Sequence, residues 1–190
     1  MKKEFLIAGF GGQGVLSMGL FLAYAGIDEG KKVSYVPSYG AEMRGGTANC
    51  LVTISDREIS SPLVSDPGVV VVMNQPSLHK FEPVVRPGGV LLINASLAHR
   101  EAQRQDITSY SIPAQEIANQ VGLPRGANMV MLGALLEATE AVDTTATYKY
   151  LVKTFRGKHL DKMPLNMAAM EAGAEFIRGC QATSSKTSIA

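Results

Sequence analysis

The chain has 190 residues with 18 Lys+Arg against 17 Asp+Glu, a formal net charge of +1, and a composition 46% hydrophobic and 18% charged. That length suits one domain with a core and leaves no room for separate cofactor and substrate domains, and the near-neutral charge provides no electrostatic footprint for nucleic acid or an anionic membrane. Two cysteines, Cys50 and Cys180, exclude a self-contained iron–sulfur cluster, a four-cysteine zinc site and a disulfide framework.

Met1 to Glu4 lead into the apolar run Phe5–Ala8, too short for a signal-peptide core. The apolar stretch from Val15 to Ile27 falls short of a membrane span, so a soluble, cytoplasmic protein is expected. Glu4–Ala8 reads as a buried strand opening into Gly9-Phe10-Gly11-Gly12-Gln13-Gly14, followed by a helix from Val15 to Glu29 that stops at Gly30. Lys32–Val36 reads as a second strand ended by Pro37, and Ala48–Ser55 alternates as a third. Val69–Met73 and Val90–Asn94 are continuous apolar runs of the kind buried on both faces of a parallel sheet. Pro76–Val85 between them reads as a crossover helix. Thr108–Ile112 is a further strand and Ala114–Val121 a short helix before Gly122; Asn128–Ala141, Tyr148–Phe155 and Leu165–Ile177 complete the chain as helices.

This alternation predicts a single α/β domain over residues 1–180: a mainly parallel, Rossmann-like sheet with helices on both faces and additional C-terminal helices. Residues 181–190 form a polar tail of disordered composition. The first helix has almost no polar face before Asp28, which points either to its own domain's core or to a partner subunit.

Gly9-x-Gly11-x-x-Gly14 follows a strand and opens a helix, the context of a dinucleotide fingerprint. Such a site also needs Asp or Glu about 20 residues on, at the end of the second strand, to hold the ribose. Here that strand ends Ser34-Tyr35-Val36-Pro37-Ser38, without an acid. NAD is therefore disfavoured. Gly9, Gly11, Gly12, Gln13 and Gly14 remain candidates for a phosphate or carboxylate cradle, for close approach of a partner backbone, or for tight strand–helix packing.

The second glycine-bearing loop, Ser38 to Thr47, places the phenol of Tyr39, the carboxylate of Glu42 and the guanidinium of Arg44 among Gly40, Gly45 and Gly46. It lies at the carboxyl end of a strand, where parallel sheets bind ligands. Alone it suggests an anion or partner site, or a solvated Glu42–Arg44 pair.

Taken together, Gly9–Gly14 and Ser38-Tyr39-Gly40-Ala41-Glu42-Met43-Arg44-Gly45-Gly46 resemble the gamma subunit of the 2-oxoacid:ferredoxin oxidoreductases. The likeness continues through Val52–Asp56, Pro87–Asn94 and Asn128–Gly133 and covers residues 4–178. The form of the second motif is most like the 2-oxoglutarate branch, then the branched-chain 2-oxoacid branch, with the indolepyruvate enzyme a more distant likeness. The resemblance implies a non-autonomous subunit that packs on alpha and beta subunits and helps bind coenzyme A. It places thiamine diphosphate, magnesium and iron–sulfur clusters on those partners and on a delta subunit, with ferredoxin as acceptor. The implied reaction converts a 2-oxoacid, coenzyme A and oxidised ferredoxin to acyl-CoA, carbon dioxide and reduced ferredoxin. No cluster-spaced cysteine set or Gly-Asp-Gly diphosphate anchor occurs in the chain, as that division of labour implies.

Under this resemblance, Gly9, Gly11, Gly12, Gln13 and Gly14 cradle coenzyme A phosphates or a partner backbone. Tyr39, Gly40, Glu42, Arg44, Gly45, Gly46 and Asn128 then belong to a subunit interface or the coenzyme A side, and no residue is assigned a catalytic or metal role. Asn128 alone reads as a helix cap or as part of an anion site. His79, His99 and His159 lack spaced partners, Asp143 reads as a turn or cap, Met163, Met167 and Met170 as packing residues, and Cys50 as an inert buried thiol. A stand-alone nucleotide-dependent oxidoreductase and a purely structural interaction module are the alternatives.

Overall fold

The computed structural model describes residues 1–40, 46–154 and 160–187. Six strands form one sheet in the order β2-β3-β1-β4-β5-β6: β1 (Lys2–Phe10), β2 (Lys32–Tyr39), β3 (Thr47–Ser55), β4 (Val69–Val72), β5 (Val90–Asn94) and β6 (Thr108–Ile112). β1, β4, β5 and β6 pair in parallel, while β3 runs antiparallel to both β1 and β2. Only β3 is reversed, so β2 ends on the same side as the parallel strands.

Strand alternation divides the core. Phe5, Ile7, Val69, Val71 and Leu92 face a large cluster, whereas Leu6, Ala8, Val70, Val72, Leu91 and Ile93 face a smaller one. Helices α1 (Val15–Asp28), α3 (Ala114–Gln120), α4 (Ala127–Thr139), α5 (Thr144–Thr154) and α6 (Met163–Thr187) contribute to the large cluster. Among the described residues, the opposite face has only α2 (Gln75–Phe81), a 3-10 turn at Glu82–Val84 and the segment that supplies Ala98, Ala102 and Ile107. The expected two-faced arrangement is present but unequal.

Glu82 fixes that thinner cover. Its carboxylate is buried and accepts from Arg100 Nη2 at 2.6 Å, from the Arg104 backbone N–H at 3.0 Å and from the Gln103 N–H. Arg104 adds bonds to the carbonyls of Glu82 (3.3 Å), Pro83 (3.2 Å) and Val85, and to Asp106.

Several element boundaries differ from expectation for identifiable reasons. β2 continues through Pro37 to Tyr39 because it is an edge strand, where a missing N–H on the outer side costs no ladder bond. The expected Pro76–Val85 helix stops at Phe81 and tightens into the 3-10 turn around Pro83, which lacks the N–H needed for continuation. α4 is capped by Gly126, so Asn128 lies in its first turn and is not the N-cap; Glu140 ends the helix at a positive φ of 46°. α5 begins at Thr144, with Asp143 accepting from the Thr145 N–H at 2.5 Å, the turn role expected of Asp143. α6 continues to Thr187, so the described part of the expected tail is helical.

The helix enclosed on all sides is α4: Met129 to Leu136 are consecutively buried. α6 crosses it where Gly133 and Gly173 meet, and an added Cβ would strike the Met170 carbonyl from Gly133 or the Val130 carbonyl from Gly173. α1 is covered by the chain's own β1, β2, β3 and α5, with Tyr24 stacked on Tyr150 at 3.9 Å. Tyr24 and Ile27 remain exposed. Met163 and Met170 are buried, but Met167 points outward.

Ion pairs gather at the amino ends of the strands. Asp56 meets Lys31 and the Met1 amine, Glu4 meets Lys2 and Arg86, Arg86 meets Asp66, and Lys32 meets Glu58. Among the described residues, no helix is long and apolar enough to cross a membrane.

Candidate functional site

The carboxyl ends of β1, β4 and β5 open onto a crevice of about 480 Å³ lined by Gly12, Gln13, Gly14, Asn94, Arg125 and Asn128, among others. The glycine loop that forms one wall is held at both ends: the Gly11 N–H donates to the Gly46 carbonyl at 2.9 Å and the Gln13 N–H to the Phe10 carbonyl at 3.1 Å. Gly12 (φ 96°) and Gly14 (φ 76°) adopt left-handed conformations that suit glycine. Gly14 also makes room for Asn128, since its Cβ would lie 2.7 Å from Asn128 Cγ. Gly9 is buried in β1 against Gln13, Val15 and Met73, so its lack of a side chain serves packing.

Gln13 is the junction of the site. Its Oε1 accepts from the Phe10 N–H at 2.7 Å and from Asn74 Nδ2 at 2.9 Å, while its Nε2 donates to the Met73 carbonyl at 3.4 Å. Asn74 simultaneously caps α2, accepting from the Ser77 N–H at 2.9 Å. Asn94 Nδ2 donates to the same Met73 carbonyl at 3.4 Å, and Asn94 Oδ1 accepts from the Ser96 N–H at 3.3 Å. The Ser96 hydroxyl donates to Glu116 and accepts from the Gln115 N–H at 2.9 Å; Gln115 Nε2 reaches the Pro124 carbonyl at 2.5 Å. A belt of hydrogen bonds thus runs around the crevice from the glycine loop to the turn before α4. Sequence reasoning identified Gln13 and Asn128 but missed Asn74, Asn94, Gln115 and Arg125.

The N-termini of α1 and α4 both meet this crevice, and neither has a side-chain cap or an acidic first-turn residue. Arg125 forms no ion pair among the described residues. Free helix N–H groups and an uncommitted guanidinium suit a ligand rich in acceptor oxygens.

A second hollow, also of about 480 Å³, lies on the other side of the loop, lined by Phe10, Gly11, Leu16, Ser17, Tyr39 and Ala48 with parts of the glycine loop. Tyr39 is 60% exposed there. Gly40 donates to the Thr47 carbonyl at 3.2 Å, and Gly46 is tied to Gly11. The structure therefore brings Tyr39, Gly40 and Gly46 to the glycine loop, while Glu42, Arg44 and Gly45 lie outside the described residues. Sheet order adds a reason against dinucleotide binding. The neighbour of β1 on this side is the reversed strand β3, so the end of β2 is one strand further from the glycine loop than a ribose-holding acid requires.

Among the described residues, no three His, Cys, Asp or Glu side chains group to hold a metal. Cys50 is buried behind α1, where burial pushes its thiol up to about 12. Two cysteines, one of them inert by burial, are too few to ligate an iron–sulfur cluster.

The profile of the family described as "Pyruvate ferredoxin/flavodoxin oxidoreductase" matches residues 4–176. The chain belongs to this family. It is 43% identical over 174 residues to the ketoisovalerate oxidoreductase subunit VorA of Methanothermobacter marburgensis, covering 90% of this chain and 36% of that one. It is 36% identical over 181 residues to the 2-oxoglutarate synthase subunit KorC of Methanocaldococcus jannaschii, covering 94% and 95% respectively. The chain thus spans about a third of one relative and almost all of the other. Among solved structures, the gamma subunit of a keto/oxoacid ferredoxin oxidoreductase from Geobacter sulfurreducens superposes with a TM-score of 0.79 at 28% identity, covering 93% of this chain and 99% of that one. The family resemblance and fold expected from the sequence both hold.

Proposed function

We propose that this chain is the gamma component of a multi-subunit 2-oxoacid:ferredoxin oxidoreductase, and that its crevice helps bind coenzyme A for oxidative decarboxylation of a 2-oxoacid to acyl-CoA and carbon dioxide. The observation that carries the reading is the glycine-loop crevice, where two uncapped helix N-termini and Arg125 face one opening. Such a surface complements phosphate and amide-carbonyl oxygens, and coenzyme A carries both. In this reading Gly12, Gln13 and Gly14 border the ligand, and Tyr39, Gly40, Glu42, Arg44, Gly45, Gly46 and Asn128 form the adjoining coenzyme A or subunit-facing wall.

Thiamine diphosphate, magnesium and the clusters belong to alpha, beta and delta polypeptides, where thiamine chemistry activates the 2-oxoacid and the clusters pass electrons to ferredoxin. This chain's part is to bind and orient. Two substrates have specific support: 2-oxoglutarate from KorC, whose whole length this chain nearly matches, and the branched-chain 2-oxoacid ketoisovalerate from the 43% identity to VorA.

The test is native co-purification of the tagged chain, followed by a 2-oxoacid panel with a low-potential electron acceptor. Expected are thiamine- and cluster-bearing partners and coenzyme A-dependent turnover of one of those two acids. Isolation without partners, or turnover dependent on NAD(P) and indifferent to coenzyme A, would overturn the proposal.

A further inference from the structure

We propose that Asn74 is a positioning residue that sets the orientation of the Gln13 amide and through it the donor character of the glycine-loop crevice; its consequence for coenzyme A rests on the reading above. Asn74 is 4% exposed and caps α2 just beyond β4, distant from Gln13 in sequence but beside it in space because β4 is the parallel neighbour of β1. Its side chain is divided between two tasks. Oδ1 accepts from the Ser77 N–H and caps α2, while Nδ2 donates to Gln13 Oε1. With Phe10 N–H donating to that same oxygen, two donors fix the amide so that its oxygen faces inward.

A primary amide carries two N–H donors. One reaches the Met73 carbonyl; the other makes no hydrogen bond among the described residues and, in this proposal, is directed into the crevice that Gln13 lines. Reversing the amide would turn an acceptor toward the ligand and leave the Phe10 N–H without its partner. Asn74 thus selects the face that Gln13 offers, although Asn74 itself need not touch the ligand.

Asn74→Asp separates the two tasks, because a carboxylate still caps α2 but no longer donates to Gln13. Asn74→Ser repeats the test with another good capping residue and without burying a charge. Both are compared with wild type in the purified complex, reading amide exchange at Phe10 and Ser77 and the coenzyme A dependence of turnover. Loss of the oriented hydrogen bond is expected to speed Phe10 exchange about tenfold and raise KM for coenzyme A about tenfold, with kcat within about twofold. Ser77 stays protected in the aspartate variant.

Unchanged Phe10 exchange in both variants overturns the proposal. Faster Phe10 exchange with KM for coenzyme A unchanged also overturns it, since the bond would then support the loop without affecting binding. If wild-type turnover does not require coenzyme A, the ligand reading fails separately, and Phe10 exchange decides whether Asn74 orients Gln13. An independent variant, Gln13→Glu, keeps the two bonds accepted at Oε1 from Phe10 and Asn74 but removes every donation from Nε2, that to the Met73 carbonyl included. It is expected to raise KM for coenzyme A while Phe10 remains protected, and an unchanged KM would count against the donor assignment.

Discussion

Cys50 and Glu82 show how burial gives single side chains opposite assignments. The Cys50 thiol, 0% exposed and donating weakly to the Val15 carbonyl at 3.7 Å, is pushed from 9.0 to about 12 because burial disfavours the thiolate. Between those values the unfolded chain releases the proton and the folded chain retains it. Stability from this group is therefore complete below pH 9 and lost as pH rises toward 12. Tyr35, also raised to about 12 by burial, acts in the same direction. Urea midpoints should fall between pH 8 and 10.5, and Cys50→Ala should flatten that fall; a thiol reagent should reach Cys50 only on unfolding. Glu82 instead remains useful while buried because it is paired. Glu82→Ala strands Arg100 and the Gln103 and Arg104 N–H groups, with an expected loss of about 3 kcal/mol in chemical denaturation. Gln13 was legible because a glycine motif surrounds it. Asn74 and Asn94 were not, because lone asparagines at strand ends read as ordinary turn residues until the sheet order brings them to the glycine loop.

For the helices, apolar composition was legible but its destination was not. α1 and α4 both lack a polar face, yet α4 is enclosed while α1 retains exposed Tyr24 and Ile27. The difference lies in α6, which approaches α4 through Gly133 and Gly173, a contact that no local pattern in either segment announces. Gly133→Ala should cost about 2 kcal/mol or more through overpacking, read as a lowered denaturation midpoint. Gly179→Ala lies in open space on the same α6 and should leave that midpoint unchanged or slightly raised. The strand runs were easier to place, because Val69–Val72 and Val90–Asn94 are continuous apolar segments of parallel-strand length. Pro37 misled because a proline says only that one N–H is missing, and an edge strand can spare it.

Across the whole molecule, the two faces of the sheet carry unequal cover. Five helices contribute to one core, whereas the other depends on α2, a 3-10 turn and the segment latched by Glu82. Opening should begin on the thinner side. Amide exchange is expected to occur at lower free energy in residues 95–107 than in β1 or β4, and Glu82→Ala should widen that difference; equal protection of both would contradict it. Sheet order was the part least accessible from sequence. The alternation of elements predicted a parallel sheet, but only the pairing of β3 with both β1 and β2 reveals the reversed strand that separates the glycine loop from β2.

The segregation of charge has a practical consequence for measuring this protein. None of the ten ion pairs among the described residues includes a residue lining the crevice, whose frame is held by amides, a hydroxyl, backbone carbonyls and, at one point, the Glu116 carboxylate. Added salt screens the exposed pairs while leaving the belt, whose one charged group is the Glu116 carboxylate, largely untouched. The slope of ligand affinity against ionic strength then becomes a gauge of the ligand's own charge as felt by Arg125, uncontaminated by electrolyte-driven deformation of the binding surface.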